Sequence, residues 1–246
     1  MDPRLVPARD MVRPPGKAGA AGARFPLGLG ERGVHELAEA AYGDMPALTG
    51  FALAAAKPRK GAILWVTQAA FAAAHGQVLP HGAVGYPAGR APLLIVRPRK
   101  LVEALWTIEE GLRSSAVGLV IADVEGADFT ATRRLALASG RHGTPLVLLM
   151  PHDREGATAA SSRWRIGARP SAPNRFDPHA PGRARWQAVL ERSREAPWLA
   201  GHVFDLDYDD ETLSLTVVSG MAAGQAAPRA PGGADGERAP PRLAAV

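Results

Sequence analysis

Between residues 93 and 151, three short apolar runs alternate with two amphipathic stretches, and nothing else in the chain constrains its fold as tightly. The runs 93–96 (LLIV), 117–122 (VGLVIA) and 145–150 (PLVLLM) are nearly continuous in apolar residues, the pattern of strands covered on both faces rather than of half-exposed ones. Such strands pair in parallel. The stretch 99–113 carries Leu101, Ala104, Leu105, Ile108 and Leu112 on one helical stripe, with Glu109 and Arg113 paired i,i+4 outside it. A second helix is predicted from about 128 to 139. Parallel strands need crossovers, right-handed by the usual rule, so the stretch reads as two consecutive β-α-β units of an α/β sheet.

The flanks extend the pattern. Upstream, the sequence predicts a strand at 33–37, a loop to 46, an Ala-rich helix at 47–56 stopped by Pro58, a strand at 62–67, a short helix at 69–74 and a Gly- and Pro-rich loop over 76–92. Five strand candidates then alternate with helices, which is the doubly wound arrangement. Downstream, strands are expected at 163–166 and 185–191, followed by period-two alternation at 202–208 and 212–217 around Asp209-Asp210-Glu211. That is a β-hairpin with Phe204, Leu206, Tyr208, Leu213, Leu215 and Val217 on one face, an antiparallel extension of the sheet. Residues 1–24 lack periodicity, and of the 28 residues in 219–246, 18 are Gly, Pro or Ala. Both ends are expected without fixed structure, leaving one α/β domain over 25–218.

Composition removes several functions. With 246 residues and 46% hydrophobic content the chain can bury one sizeable core. It contains no cysteine, so disulfides, thiolate metal sites and cysteine nucleophiles are excluded. No signal-peptide pattern and no run approaching 18 apolar residues occurs, so a cytoplasmic protein with no membrane partner is expected. The formal charge of +5 fits either arginine used for solubility or a surface for nucleic acid or another acidic partner.

Candidate chemistry is sparse. A nucleotide-binding sheet places a Gly-rich loop after its first strand, with a lysine for the phosphates and a Ser or Thr for magnesium. The corresponding loop here runs from Ala40 through Gly43 and Asp44 to Thr49; it has one internal glycine, no lysine, and an aspartate that repels phosphate. Thr49 stands in a metal-ligand position but equally suits a cap or core edge. Asp123 ends its apolar run where a magnesium-holding carboxylate would sit, and is also an ordinary turn residue. The series Asp205-x-Asp207-x-Asp209-Asp210 lacks the glycine and closing glutamate of a calcium loop. The seven histidines show no paired spacing, no G-x-S-x-G occurs, and no catalytic residue is nominated. From 163 to 194 there are eight arginines against Asp177 and Glu191, interleaved with Trp164, Phe176 and Trp186 and followed by Trp198. Arg163, Trp164, Arg165, Arg183, Arg185 and Arg192 could hold single-stranded DNA by phosphate contact and stacking. Alternatively the tryptophans lie in the core, with the arginines flanking strands.

The run 93–114 (LLIVRPRKLVEALWTIEEGLRS), together with 25–30 (FPLGLG), 34–37 (VHEL), 130–135 (TATRRL) and 143–145 (GTP), resembles the ImuA family. Residues 161–166 (SSRWRI) and 185–192 (RWQAVLER) resemble that family's two later strands, so the similarity spans roughly 25 to 215. The resemblance implies a RecA-like core and an accessory role in damage-inducible, error-prone translesion DNA synthesis. Its implied partners are RecA, the inactive Y-family-like polymerase ImuB and an error-prone replicative-type polymerase. A SulA-type cell-division inhibitor is the alternative, tested by inhibition of FtsZ polymerisation.

The departures from active RecA-like ATPases matter as much. Lysine is missing between Gly43 and Thr49, and Gln68 follows the second strand where such enzymes carry the carboxylate that activates water. Glutamine cannot act as that base. Asp123 alone keeps a matching position. Gly43, Thr49, Gln68 and Asp123 are therefore expected to form a degenerate nucleotide site, with no ATP cofactor and no hydrolysis.

Overall fold

A computed structural model describes residues 29, 33–57, 60–154, 156–174, 176, 177 and 179–221. The arm expected at 1–24 and the tail from 222 onward lie outside the described residues, as do Pro58 and Arg175. Nine strands form one sheet in the order β3-β2-β4-β5-β1-β6-β7-β8-β9. They are β1 Val34–Glu39, β2 Ala62–Thr67, β3 Leu93–Val96, β4 Val117–Asp123, β5 Leu146–Met150, β6 Ser162–Arg169, β7 Arg185–Ser193, β8 Val203–Asp209 and β9 Ser214–Met221. The helices are α1 Met45–Ala55, α2 Ala69–His75, α3 Pro80–Ala83, α4 Leu101–Arg113 and α5 Phe129–His142.

Strands β3, β2, β4, β5, β1 and β6 run parallel, whereas β7, β8 and β9 add antiparallel. This is the expected α/β class, a mostly parallel sheet flanked by helices with a C-terminal antiparallel extension. Alternate residues of the parallel strands feed two cores. Leu37, Trp65, Ile121, Val147 and Leu149 pack with Leu48, Phe51 and Ala52 of α1. Leu64, Val66, Val120, Leu146 and Leu148 pack with Ala104, Ile108 and Leu112 of α4 and Leu135 of α5. Each such side chain withdrawn from water contributes roughly 1.5–3 kcal/mol, which is why unbroken apolar runs choose the sheet interior.

Helix ends follow local chemistry. Asp128 caps α5 by accepting from the Ala131 amide at 2.7 Å, and Glu103 accepts from the amides of Arg99 and Lys100 before α4. Glu109 and Arg113 pair as expected at 2.7 Å, and Glu109 also reaches Arg134 of α5 at 3.1 Å. Gly111 is required by close approach: a Cβ there would overlap Leu64, so the missing side chain lets α4 settle on β2.

Several expectations are corrected. β3 is an edge strand, paired to β2 alone, with Leu94 51% exposed. The stretch 76–92 contains α3 and a 3-10 turn, Ala88–Arg90. β1 continues to Glu39, and β9 continues to Met221 past the boundary expected at 218. Leu213 sits in the β8–β9 turn at φ 51°, outside the strand that was to carry it. The antiparallel strands are tied to the first core through aromatic rings: Phe51 of α1 lies 6.4 Å from Trp164 and 6.2 Å from Trp186. The Tyr208 hydroxyl donates to the Gly85 carbonyl at 2.7 Å.

Candidate functional site

The parallel strands deliver their carboxyl ends to one edge, the place where open α/β sheets receive ligands. There β1 ends in Glu39, β2 in Thr67, β4 in Asp123 and β5 in Met150. Gln68 follows β2 directly.

Loop 40–44 between β1 and α1 turns at Gly43 with φ +98°, a conformation that favours glycine, and an added Cβ would point into open space. Its amides do not form a free cradle. Asp44 at the start of α1 accepts from the Ala41 amide at 3.1 Å through one carboxylate oxygen and from the Ala168 amide of β6 at 3.1 Å through the other. A carboxylate of the protein thus occupies one amide, that of Ala41, that a phosphate-binding loop would present to its ligand. Pro46 opens α1 and has no amide to give.

Asp123 is 5% exposed. Its Oδ2 accepts from Trp65 Nε1 and Thr67 Oγ1, each at 2.8 Å, while Oδ1 is buried and has no hydrogen-bond partner. Burial outweighs the two hydrogen bonds and the influence of His75, and pushes this carboxyl up to about 6. Gln68 is tied to the same strand end: its amide donates to the Asp123 carbonyl at 3.0 Å, and its Oε1 accepts from the Glu125 amide at 3.3 Å. It does not act as a free water-positioning group.

Two depressions open here. One, about 300 Å³, lies against α1 and includes Thr49, Leu53, Phe71, His75, Tyr86 and Asp123 in its lining. The other, about 430 Å³, lies over the ends of β4 and β5 and is lined in part by Tyr42, His75, Glu125, Met150, His152 and Arg154. Thr49 and Asp123 are therefore brought to one pocket, with His75 shared by both depressions, while Gly43 stands apart in the loop. No cluster of three or more metal-ligating side chains occurs among the described residues.

Glu39 was missed from sequence. Its side chain is fully buried, neither carboxylate oxygen has a hydrogen-bond partner, and His152 Nδ1 lies 3.9 Å from Oε2. The available signal was its position: an acid ending an apolar strand, as Asp123 does, hidden when that strand is ended at 37. Glu36, by contrast, is satisfied by Thr158 Oγ1 at 2.6 Å and Arg163 Nε at 2.8 Å.

The aromatic side chains in and after the arginine-rich span divide between core and surface. Trp164 and Trp186 are core residues at 2% and 4% exposure and present no face for a base, whereas Phe176 and Trp198 are exposed. Arg163 pairs with Glu36, Arg165 with Glu191, Arg185 with Asp207 at 2.7 Å, and Arg192 donates to the Thr158 carbonyl. Arg183 lies 3.7 Å from Asp209. These side chains hold neighbouring strands together and do not form a stacking platform. No described helix is long and apolar enough to cross a membrane.

No family model matches the chain. It is 35% identical over 144 residues to Protein ImuA of Caulobacter vibrioides, in strain NA1000 / CB15N and in strain ATCC 19089 / CIP 103742 / CB 15. The similarity covers 54% of this chain and 56% of each relative, so the chain spans little more than half the length of the curated proteins it matches. Among solved structures, the crystal structure of the RadB recombinase superposes with a TM-score of 0.47 and 14% identity, covering 73% of this chain and 89% of that one.

Proposed function

We propose that this chain is a non-catalytic, RecA-like accessory factor of damage-inducible, error-prone translesion DNA synthesis. In this reading it works as a scaffold with the Y-family-like polymerase ImuB, with RecA and with an error-prone replicative-type polymerase. Its similarity to the Caulobacter ImuA proteins supports the setting. The observation that carries the non-catalytic part is Asp44, whose two carboxylate oxygens accept from the Ala41 and Ala168 amides at the start of α1.

Phosphoryl transfer depends on binding the phosphates, holding the metal and orienting the water. The first is opposed by Asp44 and has no lysine to drive it, and the third falls to a glutamine engaged with Glu125. A DNA contact through residues 163–194 is not part of the proposal, because Trp164 and Trp186 are core and Arg163, Arg165, Arg185 and Arg192 are engaged with neighbouring groups.

The test is phosphate release from ATP with single-stranded DNA present. Turnover of about 1 per second or more, the range of working phosphotransferases, refutes the reading. Capture of RecA or ImuB by the tagged protein, equally with and without ATP, supports it; failure to capture either removes the scaffold.

A further inference from the structure

The pocket against α1 has a chemistry opposite to that of a phosphate site. Much of its wall is apolar, from Met45 and Leu53 of α1, Phe71 of α2 and Val78, and Asp123 belongs to the lining. Trp65 and Thr67 saturate Oδ2, leaving Oδ1 buried with an empty accepting position. An acceptor held in low-dielectric surroundings without a donor is costly to maintain, and a charge-assisted N–H is the partner that relieves it best. Glu39, at the same edge of the sheet, is a second buried carboxylate with both oxygens unpartnered. The unpartnered Asp123 oxygen in the pocket therefore calls for a donor.

We propose that this pocket binds an ammonium or guanidinium group carried on an apolar stem, with Asp123 Oδ1 accepting its N–H and the side chains of α1 and α2 packing the stem. The volume of about 300 Å³ lies at the small end of ligand pockets and suits one long basic side chain or a small alkyl cation. The imidazole of His75, tilted by 32° against the Phe71 ring with centroids 4.4 Å apart, borders the same space. The ligand chemistry is common to an arginine or lysine of a partner protein and to a free polyamine, which differ at the far end of the stem: the first continues into a neutral peptide, the second ends in another charge.

The assay uses the full chain with its tryptophan indoles labelled by nitrogen-15, because Trp65 Nε1–H donates to Asp123 and reports directly on that carboxylate. The Trp65 signal is assigned with Trp65→Phe and followed during addition of N-acetyl-arginine amide, putrescine or Mg·ATP. A saturable shift with the arginine amide in the millimolar range, stronger than with putrescine, is expected and points to a protein side chain; the reverse order points to a polyamine. Asp123→Asn is expected to abolish the shift. Gly82→Leu is the second variant: Gly82 lines the pocket, a side chain there enters open space, and it is expected to weaken binding by about tenfold or more with the fold intact.

Silence of Trp65 toward both cations, or an unchanged shift in Gly82→Leu, overturns the proposal. A Trp65 signal that follows pH and responds to neither cation overturns it too. Because this inference rests on pocket geometry and not on the accessory role, silence toward cations and ATP together refutes it alone, whereas a specific response to Mg·ATP refutes it and also the reading of an abandoned nucleotide site.

Discussion

Replacing Asp123 by asparagine should change how the stability of this protein depends on pH. Burial raises the carboxyl from its ordinary value of 3.8 to about 6, so within that window the folded protein keeps a proton that the unfolded chain has lost. Stability from this group is fully present below about 3.8 and declines as pH rises through about 6, by about 3 kcal/mol at 1.36 kcal/mol per unit. Asparagine keeps an oxygen to accept from Trp65 and Thr67 and carries no charge, so that decline should vanish. Urea unfolding read by tryptophan fluorescence provides the measurement, with ΔG extrapolated at about pH 4.5, 6 and 8 for both proteins. The variant should match the parent within about 1 kcal/mol at the acid end and exceed it by about 2–3 kcal/mol at the alkaline end. Other titrating groups cancel in the difference between the two proteins. Parallel stability curves, or a variant weaker at the alkaline end, would refute the claim that desolvation governs this carboxyl.

Three further substitutions probe other joints. Gly111→Ala gains helix propensity, but its methyl meets Leu64, so a net loss of about 1–3 kcal/mol is expected in the same unfolding assay. Arg163→Met removes the guanidinium from Glu36, itself 1% exposed, and should cost about 3 kcal/mol; an unaltered midpoint would show that Thr158 alone satisfies that carboxylate. Asp44→Ala frees the Ala41 and Ala168 amides and should lower stability by about 1 kcal/mol without creating ATP binding by calorimetry, since no lysine arrives with the substitution.

The parallel half of the fold was legible because its signal is the hydrophobic effect written as continuous runs. β2, β4 and β5 fall within a residue or so of their expected places, and their side chains fill both cores. β3 reads identically yet sits at the edge; strand order is set by how crossovers pack, which no single run records. The arginine-rich span shows the same limit. Arg163 and Arg185 look alike in sequence to a nucleic-acid surface because their carboxylate partners, Glu36 and Asp207, lie 127 and 22 residues away in the chain. Thr49 and Asp123 line one pocket and Gln68 follows β2 at the same edge, whereas Glu39 was hidden by ending β1 two residues early.

The carboxyl edge brings together three carboxylates in three different states, and the differences bear on what can bind there. Asp44 is satisfied by two backbone amides, Asp123 has one oxygen satisfied and one not, and Glu39 has no hydrogen bond on either oxygen. A phosphate cradle works the other way round, offering amides and a lysine to a ligand rich in acceptors. Here the Ala41 amide of the first loop is engaged from within, and Asp123 Oδ1 and both Glu39 oxygens are buried without a partner, as is Arg154 Nε over the ends of β4 and β5. A ligand that reaches Asp123 Oδ1 would have to bring a donor. On the proposed readings, loss of hydrolysis and binding of a basic group would be two consequences of one change in local chemistry. A chain that had only lost its lysine would leave the Ala41 amide open to phosphate, whereas here that amide already donates to Asp44.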